Sequence, residues 1–475
     1  MKHNFPFSII QGGMGVGTSS SRLANTVSRA GQLGVVSGTA VTHSLVRRLQ
    51  LGDEDVKRAV EQFPYEDIAG LTLDRYFIQG GKDPQAKFKN PGMPGPKNCD
   101  LYQALTVLGS FVEVSMAKEG HSNPVGINLL HKIQSPHLPT LHGAMMAGVD
   151  YLLMGAGIPI DIPPTLNALL QHEETSYLID TAKGSAQPKI QIDFHPETIL
   201  GSQKVELHKP EFMPIIASKV LAMKFKRMEN DIAGVIVESS KAGGHNAPPR
   251  NKVKYGEKDI VTTDELNKIG VSYFLAGDWG YHNSVTDAVA AGAKGVQVGS
   301  LFALCEESGF APEYKHMLIE KMLEREAIGK QLRIDTSYRS SPTGYPFKEV
   351  PIEGSISTPL AYAEREDGNR ICDMGYLREH KVTENGKIVS LCPSEPVDAY
   401  VKKGGLIEDT IGRKCICNHL MTTAGIGQIR KNGREELPIF TLGDAAPRAT
   451  EIIRKFNPGG LSYSAANVLD YLQSN

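Results

Sequence analysis

Short apolar runs, many of them ending in glycine, alternate along the first 300 residues with segments whose apolar positions recur at helical spacing. Eight of these runs read as strands, at 7–12, 33–38, 124–130, 149–155, 213–218, 234–239, 272–277 and 295–300. FSIIQGGMG (7–15), for instance, leads into SSSRLANTVSRAG, where serines can cap a helix carrying Leu23, Ala24 and Val27 on one side. Strands that are apolar almost throughout are buried on both faces, as in a parallel sheet covered by helices. Eight such units predict an α/β fold of the TIM (β/α)8 barrel type; an open doubly wound sheet usually has fewer strands.

A bare barrel needs about 250 residues, and the chain has 475. The surplus divides into insertions near 51–115 and 158–211 within a barrel domain of residues 1–330, and a C-terminal appendage of residues 331–475. LPIFTLG (437–443), LMTTAGIG (420–427) and LSYSAANVLDYL (461–472) are too apolar to stay in water, so the appendage is expected to pack on the barrel. MLIEKMLEREAIGKQLR (317–333) reads as a solvated amphipathic helix.

Composition narrows the function classes. Apolar residues at 40% and charged residues at 22% match ordinary globular usage, and a net charge of −2 offers no surface for a polyanion. Nucleic acid is therefore not expected as a partner. The N-terminus does not read as a signal peptide, and no run approaches the roughly 20 apolar residues of a membrane span. Six cysteines in so long a chain make no disulfide framework, so a cytoplasmic location is expected. A homo-oligomer is left open.

In a barrel of this type the chemistry sits at the C-terminal ends of the strands, and a phosphate site commonly follows the seventh and eighth. Glycines gather at those ends, where Gly277 to Gly280 and Gly299–Ser300 read as phosphate cradles. The sixth run ends in VESSKAGGHNAPPR (237–250), a glycine pair and a histidine that a merely buried strand would not need. The glycines permit a tight turn, and His245 can then face a ligand with a side chain that exchanges protons near neutral pH.

In order along residues 7 to 310, IIQGGMG, GINLL, LLMGAGIP, IIAS, VIVESSKAGGH and FLAGDWG…GAKGVQVGSLF resemble the FMN-dependent nitronate monooxygenase family, formerly 2-nitropropane dioxygenases. That superfamily includes flavin-dependent enoyl-acyl-carrier-protein reductases. The resemblance implies FMN held non-covalently at the open end of a TIM barrel. Gln11, Gly12, Gly13 and Met14 match the motif that passes beside the flavin ring, and Asn128 matches an asparagine that hydrogen-bonds it. Gly243, Gly244 and His245 match the loop that carries the active-site histidine, while Gly277, Gly299 and Ser300 match the phosphate loops, with Gly280 closing the first. The pattern departs at Ala276–Gly277–Asp278–Trp279–Gly280, where the family usually has AGGI. A phosphate dianion beside Asp278 would be repelled unless that side chain points away.

Two activities follow from the resemblance. The first is a nitronate monooxygenase that oxidises nitronates or nitroalkanes with O2 to a carbonyl compound and nitrite, His245 taking or sharing a proton. The alternative is an NAD(P)H- and FMN-dependent enoyl-thioester reductase, trans-acting in fatty-acid or polyketide synthesis, towards which the form QGGM leans. A catalytically idle flavin scaffold would require His245 to be structural. In the tail, Cys372, Cys392, Cys415 and Cys417 follow the spacing C-x19-C-x22-C-x-C, which matches no common zinc or iron–sulfur pattern. Buried or redox-sensitive thiols are favoured there over a metal.

Overall fold

Each of the eight apolar runs overlaps one strand of a single parallel sheet. In the computed structural model, which describes residues 4–97, 99–251, 254–366, 370–430 and 433–473, these are β1 (Ile9–Gln11), β2 (Gly34–Ser37), β3 (Val125–Leu130), β4 (Tyr151–Gly155), β5 (Glu211–Ile216), β6 (Val235–Glu238), β7 (Tyr273–Ala276) and β8 (Val296–Val298). Pairing runs from β1 to β8 and back down through β7, β6, β5, β4 and β3 to β2. A bridge between Ile10 and Leu33 returns β2 to β1, with Gln11 N–H on Leu33 O at 2.9 Å and Leu33 N–H on Ile9 O at 3.0 Å. The ring is closed, so the fold is a TIM barrel carrying extra elements. Six of the strands stop one or two residues before the end of their run, where residues such as Gly299 and Ser300 leave the ladder to form loops, and β5 begins two residues before its run, at Glu211.

The lumen is a packed core. Phe7, Ile10, Val35, Tyr151, Leu153, Met213, Ile236 and Phe274 fill it with apolar side chains. Phe7 stacks on Phe274 at 5.6 Å, and Phe5 meets the same ring edge-on at 5.0 Å, which plugs the N-terminal end. Alternate residues such as Ile9, Val36, Val235 and Val237 point outward under the helices. The helix Ser21–Arg29 buries Leu23, Ala24 and Val27 completely, and the Ser20 hydroxyl caps it by accepting from Leu23 N–H at 3.2 Å.

The insertions differ in kind. Residues 54–76 form two helices, but Asp100–Ala117 is a barrel helix buried nearly all round, because it lies between the helices Val41–Gln50 and His137–Met146. Between β4 and β5, after the helix Ile162–Leu170, stands an antiparallel hairpin, Thr175–Asp180 with Lys189–Phe194. The amphipathic helix spans Pro312–Ala327, earlier than its expected 317–333: proline starts it at the first position, and the chain reaches Gly329 with a positive φ just beyond its end.

Residues beyond 331 run back over the barrel. Phe440 is fully buried, stacked on Phe310 at 5.7 Å and edge-on to Tyr314 at 5.4 Å. Tyr463 donates to Leu301 O at 2.8 Å, and the helix Ala465–Gln473 packs beside Ser21–Arg29 and Ser284–Ala290. One hydrophobic cluster therefore includes side chains from both parts of the chain. Phe440→Ala should cost about 3–5 kcal/mol, the usual range for emptying a buried aromatic site, in a single unfolding transition followed by denaturant titration. A loss below about 1 kcal/mol would show that this segment is not part of the barrel's core.

Candidate active site

The period-two alternation that fills the lumen has a consequence at its open end. On β6, Ile236 points inward, so Glu238, two residues later, does the same. Gln297 lies between the outward Val296 and Val298 of β8, and Asn128 follows the outward Ile127 of β3. Register places Glu238 and Gln297 level with Ala276 on the intervening strand. The top layer of the barrel is thus polar where the layers below it are apolar. All three side chains line one cavity at the C-terminal mouth. The Glu238 carboxyl and the Asn128 amide make no hydrogen bond to any described residue, and Gln297 Oε1 is buried without a partner.

Gly12, Gly13, Met14, Gly243, Gly244, His245, Gly277, Gly280, Gly299 and Ser300 line this same cavity, so motifs separated by up to 288 positions meet in one place. Gln11 does not join them. It is fully buried: Nε2 donates to Gly12 O at 2.7 Å and to Ser19 Oγ at 2.8 Å, while Oε1 accepts from Val35 N–H at 3.0 Å. Ser19 Oγ in turn donates to Gly12 O and accepts from Met14 N–H. Gln11 does not line the cavity; its amide is spent shaping the loop that presents Gly12 to Met14.

The turn after β6 is set by its glycines. Gly244 has φ +72°, which side chains rarely tolerate, and a Cβ on Gly243 would sit 2.7 Å from Thr441 O. That contact comes from the appendage, whose strand Phe347–Glu349 also pairs antiparallel with Gly244–His245, Phe347 opposite His245. The His245 ring meets Phe347 at 4.8 Å, and its Nε2 lies 2.7 Å from Ser341 Oγ, itself 2.8 Å from Thr343 Oγ1. Nδ1 makes no hydrogen bond to a described residue. Burial, with Lys132 nearby, pushes the His245 pKa down to about 4, so the imidazole is neutral rather than half-protonated at neutral pH. Glu238 moves the other way: burial alone raises its pKa to about 8, so it is a neutral acid at pH 7.

At the end of β7, Asp278 is held by Lys241 Nζ at 2.7 Å and Arg448 Nη1 at 2.8 Å. Burial opposes its charge, but these hydrogen bonds and charges keep its pKa below the usual range. Two cations on one carboxylate leave the Gly277–Gly280 loop with a net positive surrounding, which removes the expected repulsion of a phosphate. Ser300 Oγ accepts from Gly443 N–H at 2.8 Å and still has its own proton to donate.

Sequence reasoning missed much of the rest of the wall. Phe347, Tyr376, Leu377, Ile416, Cys417 and Leu420 of the appendage roof the cavity. The need of the tail's apolar runs for burial was the available signal, but not where they would land. Glu238 and Gln297 could have been found as polar residues at inward positions of otherwise apolar strands. Of the tail cysteines, Cys372 and Cys392 share a hydrogen bond with Cys415 and Cys417 close by, and all four are free thiols. Burial raises the pKa of Cys415 to about 11 and lifts that of Cys417 well above the ordinary thiol range, which keeps both protonated. Among the described residues no group of three or more His, Cys, Asp or Glu is arranged to hold a metal ion. Nor is any described helix long and apolar enough to cross a membrane.

No family model matches the chain. A stretch of 89 residues, 18% of its length, is 32% identical to a "probable nitronate monooxygenase" of Bacillus subtilis (strain 168). The likeness is to the nitronate monooxygenase family. The matched stretch spans 25% of that relative. Among solved structures, FabK from Thermotoga maritima aligns over 77% of this chain and 76% of its own, at 19% identity and a TM-score of 0.38. A nitroalkane oxidase from Streptomyces ansochromogenes aligns over 98% and 95%, at 13% identity and 0.46. The enoyl reductase domain of MlnA from Bacillus amyloliquefaciens aligns over 98% and 92%, at 11% identity and 0.47.

Burial depresses the pKa of half-buried His245 and of five buried histidines, with His43 at about 3 and His137, His142, His380 and His419 at about 4. The unfolded chain takes up these protons near pH 6.5 and the folded one only near 4. Their contribution is full above 6.5 and lost as pH falls, at up to about 1.4 kcal/mol per histidine per pH unit. Denaturant titrations should show several kcal/mol less stability at pH 5.5 than at pH 7. Equal stability at the two would mean that these imidazoles are not buried neutral.

Proposed function

We propose that the chain is a flavin-dependent oxidoreductase, and that its cavity binds FMN and oxidises a nitronate or nitroalkane. The observation that carries this reading is the polar top layer of the lumen. Asn128, Glu238 and Gln297, from three strands, present unpartnered polar groups to a single cavity, next to a half-buried and neutral His245. Buried polar groups are normally satisfied, so a layer of them left open suits a planar ligand with several heteroatoms. The residues present fit FMN. Asn128 and Gln297 would meet ring heteroatoms. The backbones of Gly277–Gly280 and Gly299–Ser300, with Arg448 and Lys241 behind them, would take one phosphate. One cradle and no GxGxxG fingerprint favour FMN over a dinucleotide.

When bound, FMN would supply the redox chemistry between substrate and O2. The chain's own residues bind, orient and exclude water. Ser341 holds Nε2 of His245, leaving Nδ1 as the atom able to accept the α-proton of a nitroalkane. A depressed pKa keeps that nitrogen unprotonated at neutral pH, and makes the proton easy to release afterwards. Phe347 and the apolar roof keep bulk water from the reacting carbon.

One further feature favours the enoyl-thioester reductase as a second reading. A neighbouring cavity of about 640 Å3 shares Tyr376 and Leu377 with the first, and Lys132, Ile158, Tyr345 and Arg378 line it. Two adjoining chambers suit an extended acyl thioester better than a small nitronate.

Purified protein should be yellow, or should take up FMN with quenching of Trp279, the only tryptophan, beside the phosphate loop. Anaerobically, bleaching by a nitronate but not by NADPH supports the monooxygenase; bleaching by NADPH and reoxidation by an enoyl thioester supports the reductase. Failure to bind FMN under either condition rejects both. His245→Ala should keep the flavin yet lower turnover by roughly 10² to 10⁴, more on a neutral nitroalkane than on a preformed nitronate. Normal turnover on every substrate would make His245 structural.

A further inference from the structure

Glu238 stands apart from the other acidic side chains near the barrel mouth. Asp278 is gripped by Lys241 and Arg448, Glu349 by Lys414 Nζ at 2.5 Å, and Asp444 by Lys348. Glu238 has neither an ion pair nor a hydrogen bond among the described residues. It sits at the last position of β6 on the lumen side, and its remaining exposed surface faces the cavity. On β5 the neighbouring cavity residue is Ile215, and on β7 it is Ala276, so the packed strands bring no titratable group to it there. The titratable groups around it are Tyr255, which feels its charge, His245 on the following turn, and beyond them the Asp278–Lys241–Arg448 triad. Among the described residues no cation pairs with it.

We propose that Glu238 is the hydrogen-bond donor of this cavity, presenting a carboxylic O–H to a carbonyl or ring-nitrogen acceptor of the bound ligand. The chemistry of the surroundings requires an acid here rather than a carboxylate. An ionised group in an apolar pocket without a counter-charge is disfavoured, and the raised pKa of about 8 agrees. A neutral carboxyl donates one strong hydrogen bond, whereas the carboxylate can only accept. His245 is neutral with Nδ1 open, so an acceptor and a donor stand on one eight-residue segment, their pKa values driven in opposite directions. This rests on the cavity's binding a ligand with acceptor atoms, for which FMN is the probe.

Two measurements test it. FMN affinity, read from Trp279 fluorescence between pH 6.5 and 9.5, should be constant to about pH 7.5 and about tenfold weaker at pH 9, since only the protonated fraction is competent. Glu238→Gln keeps an N–H donor and cannot ionise, so its affinity should match wild type at pH 7 within about threefold and show no such decline. Glu238→Leu should lose about tenfold at pH 7. Tyr255, raised beyond this range by burial, stays neutral throughout and cannot mimic the effect. Separately, in flavin-free protein carrying carbon-13 glutamate, one side-chain carboxyl should titrate near pH 8 and be missing from Glu238→Gln. That titration in a protein that takes up no FMN would reject the flavin reading while upholding Glu238 as a neutral donor. A flat wild-type affinity profile, an unchanged pH dependence in Glu238→Gln, or no glutamate titrating above pH 6 would overturn the proposal.

Discussion

Water is kept from the mouth of the barrel by a short backbone pairing, Gly244–His245 against Phe347–Lys348, and the chemistry of the cavity depends on it. Without that pairing the sixth loop would end in solvent, His245 would titrate like any surface histidine, and Ser341 would have no ring nitrogen to hold. With it, Phe347 closes over the imidazole, and the segment from 416 to 445 completes the roof. The glycine pair is what allows two chain segments 103 positions apart to come so close: Gly243 leaves room for the Thr441 carbonyl, and Gly244 takes the left-handed turn.

Drying the mouth sorts its charges. Groups inside become neutral, Glu238 by holding its proton and His245 by shedding one. Several charges around it are kept, each against an opposite partner: Asp278 with Lys241 and Arg448, Lys348 with Asp444, Glu349 with Lys414. A ligand entering such a site meets uncharged donors and acceptors in the lumen and a cationic edge where a phosphate would lie. Interactions of that kind are stronger here than in water because the surroundings cannot screen them.

The same burial that creates the site makes the molecule depend on neutral histidines. His43, against Tyr376 Oη at 2.9 Å, and His419, against the Leu437 carbonyl at 2.6 Å, lie within or beside the appendage. Acid therefore strikes at the contact between barrel and roof as well as at the core. Function and stability share a single physical origin in this chain, the removal of water from the strand ends.

Much of this was legible in the chain itself. Near-continuous apolar runs with glycine ends determined the eight strands and their parallel order, because a strand covered on both faces has no polar side to show. Of the residues named at the strand ends, all but Gln11 meet in the cavity, since barrel topology brings strand ends together wherever they lie in sequence. Gln11 stands outside the cavity wall because a motif says which residues recur, not which way an amide points, and its two ends are spent on Gly12, Ser19 and Val35. Lys241, Arg448 and Ser341 lay beyond sequence reasoning for another reason. Their roles depend on contacts across 37, 170 and 96 positions, and no local period encodes such a distance. Glu238 belongs to both accounts. Its inward parity on β6 could be counted from Ile236, but only its burial in the folded chain, with no cation paired to it among the described residues, made it an acid.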